Sequence, residues 1–303
     1  MSLLSIGNIC FALVFSPFLL GIINRTKAFF AGRYEQPLLQ PYYDIWKLLQ
    51  KGSVYSRTTT LIFRMGPLIG LTVTLMAMMF IPLGVFPAMI GFQGDILWVI
   101  YLFGFSRFWY VIAALDTGSS FEAMGASREV QFSVFSEVAL ILGFLTLARY
   151  FGSFSLSDIL LSLSISAWKD IAVVLGLIAA AFCVVFLVEN ARIPIDDPNT
   201  HLELTMIHEV MVLDHSGIDL AMIFYTSALK IWIFGTLLVK FVPVHFDHFW
   251  VNQLFFCLLL IGLAIFIGII ESIMARLKLL HIPQLLVGAG ALSTLAFFLL
   301  LRG

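Results

Sequence analysis

Charge is scarce in this chain. Asp, Glu, Lys and Arg make up 12% of its 303 residues, about half the share of an ordinary soluble domain, while 61% are hydrophobic. The 17 basic and 18 acidic residues nearly cancel, so there is no basic stripe of the kind that neutralises phosphates, which excludes nucleic acid as a partner. Cysteine is limited to Cys10, Cys183 and Cys257, each alone in an apolar run. No C-x-x-C pair is available for zinc or an iron–sulfur cluster, and the three read as buried thiols. A glycine-rich phosphate loop is missing, and no serine or cysteine is placed as a nucleophile. His208-Glu209-Val210-Met211-Val212 begins like the zinc motif H-E-x-x-H, but Val212 stands where the second histidine is needed. His201 and His208 are seven residues apart, about 10 Å along a helix, too far for one ion with bonds near 2 Å. No metal site is expected.

What is abundant is apolar sequence. A helix crosses the hydrocarbon core with about 20 mostly apolar residues, and about eight such runs appear, at roughly 3–24, 64–88, 95–115, 130–150, 170–189, 217–241, 250–273 and 283–302. The first is too long for a signal-peptide core and is expected to be retained. The fold class is therefore an all-α membrane protein, a single integral-membrane domain over 1–303. Arg25, Lys27, Arg33, Lys47, Lys51, Arg57, Arg64, Arg128, Arg192, Arg276 and Lys278 flank alternate span ends, against Arg149, Lys169, Lys240 and Arg302 at the others. By the positive-inside rule the richer ends are cytoplasmic, with loops near 25–63, 116–129, 190–216 and 274–282, and both termini are non-cytoplasmic. Gly118 and Gly125 are expected in tight turns of the second of these loops. Residues 38–50 place Leu38, Leu39, Tyr42, Ile45, Trp46 and Leu49 at helical spacing, which predicts an amphipathic helix in the interface. It serves either as an anchor or as a gate.

Two cations, Arg107 and Lys230, fall deep inside spans. An unpaired charge at the bilayer centre costs roughly 2.5–3.5 kcal/mol on insertion scales, so both are expected to face the bundle interior beside acids. Glu137, Glu189 and Glu271 lie on other spans. Such a set either relays protons or fixes helix packing by static pairing, and both readings stay open. The stretch after Glu189 concentrates polar groups: taken as a helix, His201, Thr205, His208 and Glu209 share one side and Glu203 points away.

Glu189-x-x-Arg192-x-Pro194-x-Asp196-x-Pro198, followed by Glu203-Leu204 and Ser216-Gly217, resembles the cytoplasmic loop of the complex I subunit 1 family, the membrane subunit at the quinone site. Arg107-Phe108, Leu115-Asp116-Thr117-Gly118-Ser119, Gly125-Ala126-Ser127-Arg128-Glu129, Lys230 and Met274-Ala275-Arg276-Leu277 are more similar to its branch in membrane-bound nickel–iron hydrogenases and formate hydrogenlyases. Leu39-Gln40-Pro41, Asp44 and Lys47-Leu48 match the first loop of both. The resemblance covers essentially the whole chain. It implies an eight-span membrane anchor like complex I subunit 1, with an interfacial helix, coupling a soluble iron–sulfur and catalytic arm to proton or Na⁺ translocation. It further implies an inner-membrane location and no cofactor of its own, with iron–sulfur clusters and a nickel–iron centre in cytoplasmic partners and antiporter-like subunits as membrane neighbours. The relay role falls on Glu137, Glu189, Arg192, Asp196, Glu203 and Asp214. Arg107, Asp116, Arg128, Glu129, Lys230, Glu271, His201, His208 and Glu209 are secondary members.

Asn199 and His201 stand where the complex I loop has further glutamates, which weakens the quinone-site reading and favours the hydrogenase-like branch. A quinone pocket under the interfacial helix, using Arg33, Gln40, Tyr42, Tyr43, Asp44, Trp46 and Lys47, remains the alternative. An independent secondary transporter is a third reading, although no repeat between the two halves supports it.

Overall fold

The computed structural model describes residues 3–32, 36–196, 206–243 and 248–302. Ten α-helices follow one another: α1 (Leu3–Phe30), α2 (Gln40–Leu49), α3 (Leu61–Phe80), α4 (Asp95–Asp116), α5 (Ser120–Phe151), α6 (Leu156–Ser162), α7 (Ile165–Glu189), α8 (Gly217–Val239), α9 (Phe249–Ile273) and α10 (Ile282–Arg302). Among the described residues, eight helices are long and apolar enough to cross a membrane, namely α1, α3, α4, α5 and α7 to α10. Only α2 and α6 fall short. The chain is thus a multi-pass membrane protein, with the apolar surface that this requires. Leu254, Leu258, Phe266 and Phe298 on α9 and α10 are all more than half exposed, as lipid-facing side chains are.

Polar groups at the helix ends decide how the spans are joined. Thr60 caps α3, and Asp116 at the end of α4 accepts from Thr60 N (2.6 Å), Thr60 Oγ1 (2.9 Å) and Phe63 N (3.3 Å). This carboxylate lies against the positive N-terminal end of α3 and ties it to the last turn of α4. Helix α2 lies against α1 and α8, with Pro41 buried and Tyr43 and Trp46 exposed, as its amphipathic pattern predicts. The Tyr42 hydroxyl donates to the Val14 carbonyl, and Gln40 Nε2 donates to Asp44 Oδ1 (2.7 Å) one turn on.

Two expected boundaries move most. Helix α3 ends at Phe80 rather than near 88. Helix α5 begins at Ser120, ten residues ahead of its apolar run, because Glu122, Ser127, Arg128 and Glu129 make its first turns polar without making them irregular. At 32 residues it is about 48 Å long, well beyond a hydrocarbon core of about 30 Å. Gly118 is a turn residue (φ +70°), but Gly125 is helical. Its missing side chain is filled by the 206–212 segment: a Cβ there would stand 2.1 Å from Val210 Cγ1 and 2.9 Å from the Ile207 carbonyl oxygen.

The segment after α7 turns back beneath the bundle. Asn190 caps the helix, Ala191 takes a left-handed conformation (φ +49°), and Arg192 N donates to the Leu187 carbonyl (2.9 Å), which ends the helix abruptly. Leu277 N donates to the Pro194 carbonyl (2.8 Å), holding the segment after α9 against this turn. Within the expected loop, the described stretch from Met206 contains one 3₁₀ turn, Glu209–Val212, and the Asp196 carboxylate takes the Ile207 and His208 amides and bends the chain there. Gly217, with φ +57°, starts α8 so close to the Gly52 carbonyl oxygen (2.5 Å from an added Cβ) that no larger residue fits. The cysteines are less enclosed than expected: Cys10 is exposed and Cys183 and Cys257 are half-buried, because their apolar runs turn those faces outward.

Candidate functional site

Arg107 sits mid-helix on α4, buried, and each of its guanidinium nitrogens meets a different acid. Nε lies 3.2 Å from Glu129 Oε1, Nη1 donates to Glu137 Oε1, and Nη2 lies 2.6 Å from Glu189 Oε1. Glu129 and Glu137 come from α5, about two turns apart, and Glu189 is the last residue of α7. Ser136 is seven residues beyond Glu129 and so shares its face, which lets Ser136 Oγ donate to Glu189 Oε1 (2.8 Å). A planar guanidinium with five donors suits this three-way pairing, and a lysine point charge would not.

From Glu129 the ionic contacts continue outward. His208 Nε2 is 3.0 Å from Glu129 Oε2, while its Nδ1 is 3.7 Å from Asp196 Oδ2, beyond hydrogen-bond reach. Asp196, fully buried, accepts from Ile207 N (3.1 Å) and His208 N (3.0 Å) and from Arg276 Nη2 (2.8 Å). The succession Arg276, Asp196, His208, Glu129, Arg107, Glu189 and Glu137 therefore links the segment after α9 to the middle of the bundle. A second branch joins Arg192 Nη1 to Glu271 Oε1 (3.4 Å) and Glu271 Oε2 to Lys27 Nζ (3.6 Å), tying α1, α9 and the turn after α7.

His208 and Asp196, both outside the spans, have displaced protonation. Burial by itself lowers the pKa of the His208 ring, but the Glu129 and Asp196 carboxylates outweigh it and raise it from 6.5 to about 10, so the ring is cationic at neutral pH. For Asp196, burial works upward and is outweighed by His208 and Arg276, which hold its carboxyl below 3.8. Elsewhere His215, stacked on Phe63 at 3.9 Å between ring centroids, is pushed down to about 4 by burial and stays neutral.

A cavity of about 140 Å³ opens beside this chain of charges, lined by Arg107, Glu129, Glu189, Arg192, His208, Glu209 and Lys230, with apolar walls from Ile223 and Phe224. The other expected members stand apart. Asp116 caps α3. Arg128 Nη1 donates to the Met206 carbonyl (2.9 Å) and positions the loop. Asp214 is exposed and meets Glu122 through its backbone amide (3.3 Å). Under α2, Leu13, Tyr42, Tyr43, Trp46 and Tyr225 line a separate apolar groove of about 630 Å³, and Lys47 is exposed to one side. Arg33, His201 and Glu203 lie outside the described residues. The sequence reading left out Arg276 and Lys27 as partners and ranked His208 low. The signal available was that Arg276 lies just beyond a span end, within reach of the same loop.

The family model described as NADH dehydrogenase matches residues 4–301. The chain belongs to the NADH dehydrogenase family. Within it, the chain is similar to formate hydrogenlyase subunit 4 of Escherichia coli (strain K12), 30% identical over 296 residues and covering 94% of each protein. It is 31% identical to hydrogenase-4 component C of the same organism over 232 residues, 76% of this chain and 72% of that one. NADH-ubiquinone oxidoreductase chain 1 of Phascolarctos cinereus is 27% identical over 230 residues, 73% of this chain and 68% of that one. A chain from the structure of the membrane-bound sulfane sulfur reductase, an archaeal respiratory membrane complex, shares the fold with a TM-score of 0.83, 20% identity and 98% coverage of both. The expected fold, that of complex I subunit 1, is thereby established for this NADH dehydrogenase family member.

Because the folded pKa of His208 lies above the unfolded 6.5, the stability its proton contributes is complete below 6.5 and is lost as pH climbs through about 10. Asp196 acts in the opposite sense, contributing above 3.8 and failing as pH falls through its depressed value. The melting midpoint of the purified protein should therefore fall between pH 6.5 and 10 more steeply in wild type than in His208→Gln. Parallel curves would show that His208 does not hold this proton.

Proposed function

We propose that the chain is the membrane-anchor and energy-coupling subunit of a multisubunit hydrogenase-like or complex I-like oxidoreductase. It carries no redox centre itself and links a soluble arm to proton or Na⁺ translocation. The observation that carries this reading is the unbroken ionic succession from Arg276 and Asp196 at the loop-rich end of the bundle to Glu137 within it. Each member is close enough to its neighbour for a change of charge at one to be felt at the next, and the low-dielectric interior strengthens that coupling.

Both ends of the succession point to partners. Asp196 is held to the Ile207 and His208 amides by hydrogen bonds, where a docked soluble protein can act on them. The soluble partners proposed are iron–sulfur and hydrogenase-large-subunit-like proteins, which hold the clusters and a nickel–iron centre. At the other end, Glu137 keeps 34% of its side chain exposed on an apolar face with Val134, Val138 and Ile141. A carboxylate facing lipid is costly, so this face suits an antiporter-like membrane protein into which the path continues. By the positive-inside rule the basic span ends favour a cytoplasmic loop-rich side with both termini outside, and the likeness to subunits of membrane complexes supports a location in the cell's inner membrane.

The second reading is a quinone held under α2, and the apolar groove lined by Tyr42, Trp46 and Tyr225 favours it. Labelling of α2 by a photoreactive quinone analogue would carry that reading, and labelling confined to other proteins of the complex would remove it.

For the principal reading the test is Glu189→Gln, which keeps the shape of the side chain and leaves Arg107 two of its three acids. In the reconstituted complex the ions moved per electron pair should fall by about tenfold or more. Wild-type stoichiometry in an assembled Glu189→Gln complex would take Glu189 out of the path.

A further inference from the structure

The cavity beside Arg107 contains two kinds of cation. Arg107 has an acid on every nitrogen, and Arg192 is paired with Glu271. Lys230, on α8, lines the same cavity, yet among the described residues no carboxylate oxygen lies within 4.0 Å of its ammonium and no protein acceptor is hydrogen-bonded to it. The charges of Glu189 and Glu129 attract it from across the cavity and that of Arg107 repels it, without contact. An ammonium offers three donors, and leaving all of them unmet inside a bundle carries the penalty of an unpaired buried ion. Water can meet them. About 140 Å³ holds several molecules, and Thr226 and Ser227, one turn before Lys230 on the same face of α8, line the space with hydroxyls. Thr226 Oγ1 spends its proton on the Met222 carbonyl (2.7 Å), so its lone pairs are left to accept.

We propose that Lys230 is the proton-exchanging cation of this cavity, hydrated and movable, while Arg107 is its fixed cation. This rests on the relay reading and assigns the exchange step within it. An N–H bond of the ammonium breaks and, through a cavity water, an O–H bond forms on the Glu189 carboxylate, leaving a neutral amine and a neutral acid with the charge of the cavity unchanged. The reverse transfer resets the pair. A guanidinium does not give up its proton in a protein, so Arg107 cannot perform this step. The titratable and charged groups facing Lys230 are Arg107 and Tyr110 from α4, Glu129 from α5 and Glu189 from α7. The segment after α7 adds Arg192, His208 and Glu209.

The test is Lys230→Arg beside Lys230→His in the complete reconstituted complex, reading ions moved per electron pair against pH. Arginine keeps the charge and cannot exchange, so the stoichiometry should fall by about tenfold or more. Histidine exchanges at lower pH, so ion movement should persist with its pH optimum displaced toward acid. Wild-type stoichiometry in Lys230→Arg would overturn the proposal, since any fixed positive charge would then suffice. If neither variant assembles, the wild-type complex decides: a water-accessible amine is dimethylated by formaldehyde and borohydride, and an unmodified Lys230 peptide in the mass spectrum would also overturn it. The Glu189→Gln complex run in parallel separates the two claims. Normal coupling there removes the relay itself, whereas loss there with normal coupling in Lys230→Arg removes only the exchange at Lys230.

Discussion

A single guanidinium placed mid-span sets the terms for the rest of the bundle. Arg107 cannot shed its charge, and a bare cation at that depth is costly, so the fold must bring acids to it. It does so from two other helices: Glu129 and Glu137 from α5 and Glu189 from α7. Three ionised carboxylates about one guanidinium overshoot, and the positive charges of His208 and Lys230 bring the cluster to neutrality. The placement of both follows from that balance. His208 closes on Glu129, and Lys230 faces the shared cavity.

The packing around the cluster is arranged to hold a short irregular segment against a helix. Gly125 opens a notch in α5 for Ile207 and Val210, Arg128 grips the Met206 carbonyl, and Asp196 takes two consecutive amides. A regular helix at 206–212 would meet its own backbone groups and could not answer to a charge. Here the backbone depends on the Asp196 carboxylate, and the Asp196 carboxylate depends on His208 and Arg276. A change in the soluble arm that shifts this segment would therefore alter the ion pair at Glu129, which is how structure and coupling are joined in the proposed function.

Much of this architecture is legible in the amino-acid sequence, because a membrane imposes strong local rules. Apolar run length located the eight spans, and the buried charges Arg107 and Glu189 stood out against them. The amphipathic pattern of 38–50 located α2. Where polar residues continue a helix past the hydrocarbon, the rule fails, and the start of α5 at Ser120 was missed for that reason. Partnerships between distant segments carry no periodic signal. Arg276 and Asp196 are 80 residues apart, and nothing in their local sequence marks the 2.8 Å contact. Asp116 and Arg128, included by family likeness, make contacts that their local sequence does not mark: one caps a helix and the other holds a loop. His208, a secondary member because a structural role suits it as well as a relay role, is the bridge between the loop and the bundle.

The central claim, that Arg107 is the charge the acids are gathered around, is tested most directly by the thermal stability of the purified assembly with Arg107→Met, alone and combined with Glu129→Gln and Glu189→Gln. Removing one side of a buried ion pair costs about 3–5 kcal/mol, so Arg107→Met alone should melt far below wild type or fail to assemble. Neutralising the two stranded acids should recover much of the loss. An Arg107→Met assembly that melts with wild type would contradict the account.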